Sequence, residues 1–235
     1  MSASGAFVIA WTDASGADGD GPGIYARRYD AAGVAQGAAF LVNTTTALAQ
    51  ASPHVAMGDG GDFVIVWTSV GQDGDGGGIY AQRFDAAGAA LGGEIGVNTT
   101  TAGNQSNATV SINASGTFAI VWTSLGQDGS GGGDYARFFD GSGTPTSAEF
   151  RVNAYVQGDQ DYRAAVLDDA GRLTVAWSSD GQDGSGRGIY LRRFNTSAVP
   201  LTGEMMTMPG LPKVPASRGI KLLPNGKIKG LMQND

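Results

Sequence analysis

The 235-residue sequence predicts an all-β fold, a β-propeller of four-stranded blades repeating about every 55 residues. Three observations predict it. An acidic, glycine-rich line running into an aromatic stretch is written four times: GADGDGPGIYARRYD (16–30), GQDGDGGGIYAQRFD (71–85), GQDGSGGGDYARFFD (126–140) and GQDGSGRGIYLRRFN (181–195). Landmark residues keep a fixed step, with Trp11, Trp67, Trp122 and Trp177 falling 56, 55 and 55 apart. Tyr25, Tyr80, Tyr135 and Tyr190 fall 55 apart each time, and Asn43, Asn98 and Asn153 keep the same step. Within a unit the apolar runs are five to eight residues long, rich in Val, Ile and aromatics and bounded by Gly, Asp or Asn, which is strand patterning.

The unit 52–106 gives the elements in order. SPHVAMG leads through the turn DGG into DFVIVWTS; the loop VGQDGDGG follows, then GIYAQRFD, the turn AAGAALGG and EIGVNTT. In FVIVW, Phe63, Ile65 and Trp67 point to one face and Val64 and Val66 to the other, because successive strand residues alternate. Both faces are apolar, so each sheet must be covered on both sides by its own copies. Radial stacking meets that need; a linear solenoid has shorter repeats and leaves its ends bare. The units lie near 7–51, 52–106, 107–161 and 162–203, and the first opens at AFVIAW without a leading strand.

Residues 204–235 are a different kind of sequence. All four lysines (Lys213, Lys221, Lys227 and Lys229) lie there, giving that segment +3 against −10 for residues 1–203, which sums to the net −7. GIKLLPNGKIKGLM (219–232) matches HVAMGDGGDFVIVW (54–67) at a step of 165. The expectation is a four-bladed ring closed by this segment, with Ile220–Leu223 beside AFVIAW and KIKGLM left over at an interface for self-association; a piece of a larger ring, or a ring that a second copy closes, is the alternative.

Composition narrows the classes. Hydrophobic residues at 41% support a real core, and 39 glycines with 16% charged residues suit short strands and tight turns. Cysteine is absent, which removes disulfides, thiolate metal sites and cysteine nucleophiles. The net charge argues against nucleic acid, whose binding rests on Lys and Arg neutralising phosphates. No apolar run approaches the length of a membrane span, and MSASGAFVIAW lacks the basic start of a secretory signal.

The line [S/T]-x-G-Q-D-G-[S/D]-G-x-G-I-Y-A-Q-R-F-D, carried over residues 7–195, resembles repeats of very large secreted or surface proteins of Gram-negative bacteria. Those proteins often also hold RTX-type calcium-binding repeats and adhesin modules. The resemblance implies an extracellular or cell-surface location, and it brings no catalytic residue set. The RTX nonapeptide GGxGxD is not present, so that calcium chemistry does not carry over.

Two sets of repeated residues invite a binding role. Asp18, Asp20, Asp73, Asp75, Asp128 and Asp183 are candidate Ca2+ ligands, with Ser130 and Ser185 replacing the second acid in the later copies. Calcium takes six to eight oxygens, which carboxylates and curled glycine-rich backbone supply; a hairpin turn capped by Asp explains the same residues. Trp11, Trp67, Trp122, Trp177, Tyr25, Tyr80, Tyr135 and Tyr190 are candidate glycan contacts, with blade packing as the competing reading.

A catalytic site needs a constellation that breaks the repeat. Glu94, Glu149 and Glu204 fall 55 apart and belong to it; His54 is the single histidine, and no G-x-S-x-G accompanies it. GDGGGI lacks a P-loop lysine and joins strand to strand, which excludes a nucleotide loop. The departures are Asp134 where three copies have Ile, Phe138 where three have Arg, and the stretch GDQDYR (158–163). Arg28, Arg83 and Arg193 read as salt-bridge partners of Asp30 and Asp85 or neighbouring blades. The resulting expectation is a non-catalytic, calcium-stabilised interaction module, not an enzyme, with glycans or a surface protein as partner. A propeller lectin and a structural assembly protein are the alternatives. A glycoside hydrolase fragment using Asp159 or Asp161 ranks last.

Overall fold

A computed structural model describes residues 1–208, 221–222 and 228–229. All regular structure among them is β. The first sheet holds β1 (Phe7–Asp13), β2 (Gly23–Tyr29) and β3 (Phe40–Leu41). The second holds β4 (Gln50–Met57), β5 (Phe63–Val70), β6 (Gly77–Phe84) and β7 (Ile95–Gly96). The third holds β8 (Gln105–Ile112), β9 (Phe118–Leu125), β10 (Gly132–Phe139) and β11 (Phe150–Arg151), and the fourth β12 (Gln160–Leu167), β13 (Leu173–Asp180), β14 (Arg187–Phe194) and β15 (Met205–Met208). Strand order within each sheet follows the chain and every pair is antiparallel. This is the propeller blade expected from the repeat, and the leading strands β4, β8 and β12 pack side by side at the common centre.

The alternation in FVIVW does what its two greasy faces require. Phe63, Ile65 and Trp67 join Ile24, Ala26 and Val42 of the first blade in one core cluster. Val64 and Val66, on the opposite face, join Ile120, Trp122 and Phe139 of the third blade in the next. The third cluster repeats the pattern, with Trp177 and Phe194 against Val121, Ala136 and Phe138. Each such side chain removed from water contributes about 1.5–3 kcal/mol, so the blade interfaces are the core of the molecule.

Polar seams tie one blade to the next. Asn43 accepts from the Ile24 N–H at 2.7 Å and donates to Gln50 at 3.1 Å and to the Thr45 carbonyl at 3.0 Å. Asn98 and Asn153 make the same bonds with Ile79 and Gln105, and with Asp134 and Gln160. The repeated Glu is a second seam. Glu94 takes the Thr44 and Thr45 N–H groups and the Gln72 amide, and these bonds outweigh burial and hold its carboxyl below the usual range. Glu149 does the same with Thr99, Thr100 and Gln127.

One sequence expectation needs correction. Arg28 and Arg83 do not pair with Asp30 and Asp85; their guanidinium groups donate to carbonyls of the following blade, at Ala86 and at Gly141 and Ser142. The acids instead cap their own turns, Asp30 accepting from Ala32 and Val34 and Asp85 from Ala89. The closing segment is described only at β16 (Lys221–Leu222) and β17 (Ile228–Lys229), which pair with each other. The remainder of the proposed ring closure, including Ile220 and Leu223, lies outside the described residues.

Replacing Asn43 with Ala would strand the Ile24 N–H and the Gln50 side-chain Oε1 in a buried site, at about 1–3 kcal/mol per orphaned group. Chemical denaturation of Asn43→Ala should therefore show a loss of about 3 kcal/mol, whereas a surface change such as Gln36→Ala should stay within about 0.5 kcal/mol.

Candidate functional site

The repeated loops come first, because the metal expectation rests on them. In the second blade the Asp73 carboxylate accepts from the Asp75 N–H at 3.4 Å and the Asn98 amide at 3.1 Å, while Asp75 accepts from the Gly103 N–H at 3.0 Å. Asp18 and Asp20 do the same with Asn43 and the Leu48 N–H. In the third blade Ser130 stands in for the second acid and accepts from the Gly158 N–H at 3.2 Å. A hydroxyl suffices there because the position asks only for an acceptor. Asp128 and Asp183 cap Ser130 and Ser185 within their own loops. A Cβ at Gly78 would come within 2.5 Å of an Asp73 carboxylate oxygen, which accounts for glycine before the Ile-Tyr pair. The six candidate aspartates thus sit in four separate loops, and among the described residues no three His, Cys, Asp or Glu side chains gather where a metal ion could bind.

The aromatic landmarks are also located. Trp67↔Tyr80, Trp122↔Tyr135 and Trp177↔Tyr190 face each other directly across neighbouring strands. Trp67, Trp122 and Trp177 are 0–1% exposed within the blade interfaces, so they offer no face to a sugar ring. Tyr135 and Tyr190 are buried as well. Trp11, Tyr25 and Tyr80 keep partial exposure, and Trp11 stacks on Tyr25 with centroids 6.4 Å apart.

What breaks the repeat gathers elsewhere, at the centre. Each leading strand carries a β-bulge at the same place: Ala51/His54, Ser106/Thr109 and Asp161/Ala164 bracket the register shifts. Ser52 and Asn107 adopt φ of 56° and 54° there, which swings the bulged residues toward the axis. Together residues 52–54, 107–109 and 163–165 line a cavity of about 410 Å³. The three walls are not equivalent. His54 is replaced by Thr109 and Ala164 at its equivalent positions, and Arg163 by Pro53 and Ala108. His54 is open to the cavity; its Nδ1 accepts from the Val110 N–H at 3.3 Å, and desolvation lowers its pKa.

Arg163 reaches from its bulge into the third blade. Its Nε lies 2.7 Å from Asp134, and its other nitrogens donate to the Asn107 carbonyl and the Thr123 hydroxyl. The side chains of Arg163 and Asp134 are 4% and 0% exposed. Burial raises the Asp134 carboxyl to about 6, the Arg163 guanidinium holds part of that rise back, and the nearby Asp161 carboxylate adds to it. Asp161 lies two residues before Arg163 and accepts from Ser178 and from Arg187, both at 2.6 Å. Arg187 stands where other copies have Gly132, Gly77 or Pro22. Asp134, Asp161, Arg163 and Arg187 therefore form one charged cluster absent from the other blades. Asp134 and GDQDYR were visible as departures from the repeat; their partnership, and that of Arg187, was not. Asp159, the other acid of that stretch, is exposed and accepts from the Gly132 N–H at 2.9 Å.

No protein-family model matches the chain. Among curated proteins, the formate–tetrahydrofolate ligase of Methylobacterium sp. (strain 4-46) is 54% identical over 52 residues, covering 20% of this chain and 9% of the ligase. That of Myxococcus xanthus (strain DK1622) is 51% identical over 37 residues, 16% of this chain and 7% of the ligase. The chain thus spans less than a tenth of the length of the curated relatives it matches. Among solved structures, the α-L-arabinofuranosidase from Lactobacillus brevis superposes with a TM-score of 0.50 at 13% identity, covering 95% of this chain and 77% of that one. The endo-arabinase from Bacteroides thetaiotaomicron VPI-5482 gives 0.46 at 15% identity, with 80% and 70% covered. The β-propeller domain of the Trilobed protease from Pyrococcus furiosus gives 0.46 at 8% identity, with 93% and 56% covered. The match to the arabinofuranosidase places the chain in the propeller fold. It also runs against the expectation of a non-catalytic interaction module that is not an enzyme, since the protein aligned over nearly the whole chain is an α-L-arabinofuranosidase. The near-identity of the four loops suggested equivalent blades, whereas the bulges of the leading strands carry the differences.

Asp134→Ile alone leaves the buried Arg163 guanidinium without its carboxylate and should cost about 3–5 kcal/mol. Adding Arg163→Ala should recover most of that loss, because Ile79 and Ala108 already form the same pair one interface earlier. Urea denaturation of the two single variants and the double variant checks this. A carboxyl 13C titration of Asp134 should give a midpoint near 6. Because the folded state holds this proton more tightly than the unfolded chain, the stability of the protein relative to Asp134→Asn should fall as pH rises from about 4 to about 6 and then level off.

Proposed function

We propose that this chain is a carbohydrate-active hydrolase whose reacting centre is the central cavity and its rim. The observation that carries the reading is the gathering of repeat-breaking charge at one place, the Asp134–Arg163 and Asp161–Arg187 pairs, of which Arg163 lines the cavity. Twofold or fourfold equivalent sites serve multivalent binding, but bond cleavage needs a single differentiated constellation. Asp134 and Asp161 divide the roles: Asp134 is closed off against Arg163, whereas Asp161 is part-exposed and held by Ser178 and Arg187.

In this reading Asp161, whose side chain is 29% exposed, is the carboxylate that meets the sugar. Asp134 and Arg163 are positioning residues, fixing the bulge on which the cavity wall stands. His54 faces the same space as a neutral imidazole able to exchange a proton. The arabinofuranosidase fold match supports α-L-arabinofuranosides as the first substrates to try.

Purified protein assayed on a panel of aryl glycosides, α-L-arabinofuranosides first, should release the aryl group. Asp161→Asn should lower kcat/KM by at least about 10³-fold, or about 4 kcal/mol, with an unchanged melting temperature. Absence of turnover on the whole panel, or full activity in Asp161→Asn, would refute the assignment.

A further inference from the structure

We propose that the central cavity is a binding site for an anionic group, and that the anion is the carboxylate of an acidic sugar, a uronate. The anion chemistry stands on the cavity alone; only the choice of a sugar rests on the hydrolase reading.

The cavity is lined by bases and not by acids. Among the described residues nine line it, and none of the nine is Asp or Glu. The two ionisable ones are His54 and Arg163, brought from the second and fourth blades. That bias runs against a chain with 22 acidic and 15 basic residues. The acids of the neighbouring cluster are committed: Asp134 is 0% exposed and paired with Arg163, and Asp161 accepts from Ser178 and Arg187. At about 410 Å³ the space is of the size that takes a small ligand.

The polar groups on these walls are set to donate. His54 Nδ1 accepts from the Val110 N–H, so the neutral ring carries its proton on Nε2, 3.4 Å from the Thr109 hydroxyl. Arg163 gives one N–H to Asp134, one to the Asn107 carbonyl and one to the Thr123 hydroxyl, which leaves one further N–H on each terminal nitrogen. The bulges add Ser52 and Asn107, both exposed, whose side chains make no hydrogen bond among the described residues. Their backbones are held instead, the Ser52 N–H by the Thr12 hydroxyl and the Asn107 carbonyl by Arg163. A planar carboxylate matches a guanidinium edge and an imidazole N–H together. The hydroxyls of Ser52 and Thr109 and the Asn107 amide bond sugar hydroxyls in either direction.

The test uses the chain's single histidine as its own probe. The NMR signal of the His54 ring is followed while the intact protein is titrated with glucuronate, and separately with glucose, acetate and inorganic phosphate. The proposal expects glucuronate to shift the signal saturably, with an affinity at least about tenfold above that of each of the other three. Desolvation lowers the His54 pKa in the free protein, and a bound carboxylate should raise it again. Asn107→Gly, which keeps the φ of 54° without strain, should weaken glucuronate at least about fivefold with an unchanged melting temperature. Equal shifts with glucose, or none with any ligand, overturn the anion site, as does full affinity in Asn107→Gly. Acetate or phosphate binding as tightly as glucuronate overturns the uronate assignment. The hydrolase reading is judged separately, by turnover of the aryl glycosides.

Discussion

The blades are held in order by a buried amide pair at each crossover, Asn43–Gln50, Asn98–Gln105 and Asn153–Gln160. The chain passes at this point from the outermost strand of one blade to the innermost of the next, and no regular ladder is available to pair its backbone. The Asn carboxamide supplies what is missing. Its oxygen takes an N–H from the third strand of the blade just completed, and its nitrogen fixes both the turn that follows and the Gln that opens the next blade. In the first two crossovers it also grips the aspartate of the glycine-rich loop. A buried amide of this kind costs free energy unless every lone pair and hydrogen is used, and here nearly all are.

With the crossovers fixed, the apolar faces can do their work. Trp67, Trp122 and Trp177, each inside the second strand of its blade, are pressed against the preceding blade, so the three interfaces are built alike. That sameness makes the departures costly. A buried ion pair such as Asp134–Arg163 occupies space that Ile79 and Ala108 fill with apolar atoms one interface earlier. Ion pairs taken out of water seldom improve stability over a well-packed apolar pair. Its presence at one interface alone is therefore better explained by what it positions, the bulge that bears Arg163 and the neighbouring Asp161, than by the stability of the fold.

The strand pattern, the turns and the two-sided blades were legible because strand periodicity and glycine punctuation are local properties. Trp67 facing Tyr80, and Val64 and Val66 packing away from Phe63 and Ile65, follow from alternation and a short loop alone. The loop acids were harder to read. Asp75 and Ser130 look chemically different in sequence, yet each accepts one backbone N–H from the next crossover, a partner 28 residues further on. The central site was the least legible. Asp134 and the GDQDYR stretch that holds Asp161 stand out as departures from the repeat, but nothing in their spacing says that a bulge brings them together or that Arg187 joins them.

By itself, the sequence determined the repeat length, the strand count per blade and the requirement that both faces be covered, since these depend on residues within one unit. Tertiary structure decided which repeated residues are spent on holding blades together and which remain to meet a ligand. It buried three tryptophans that the sequence offered as sugar contacts, and it paired charges lying on different blades. The physical reason is that burial and ion pairing are set by how one blade lies on the next, a relation that no single unit contains.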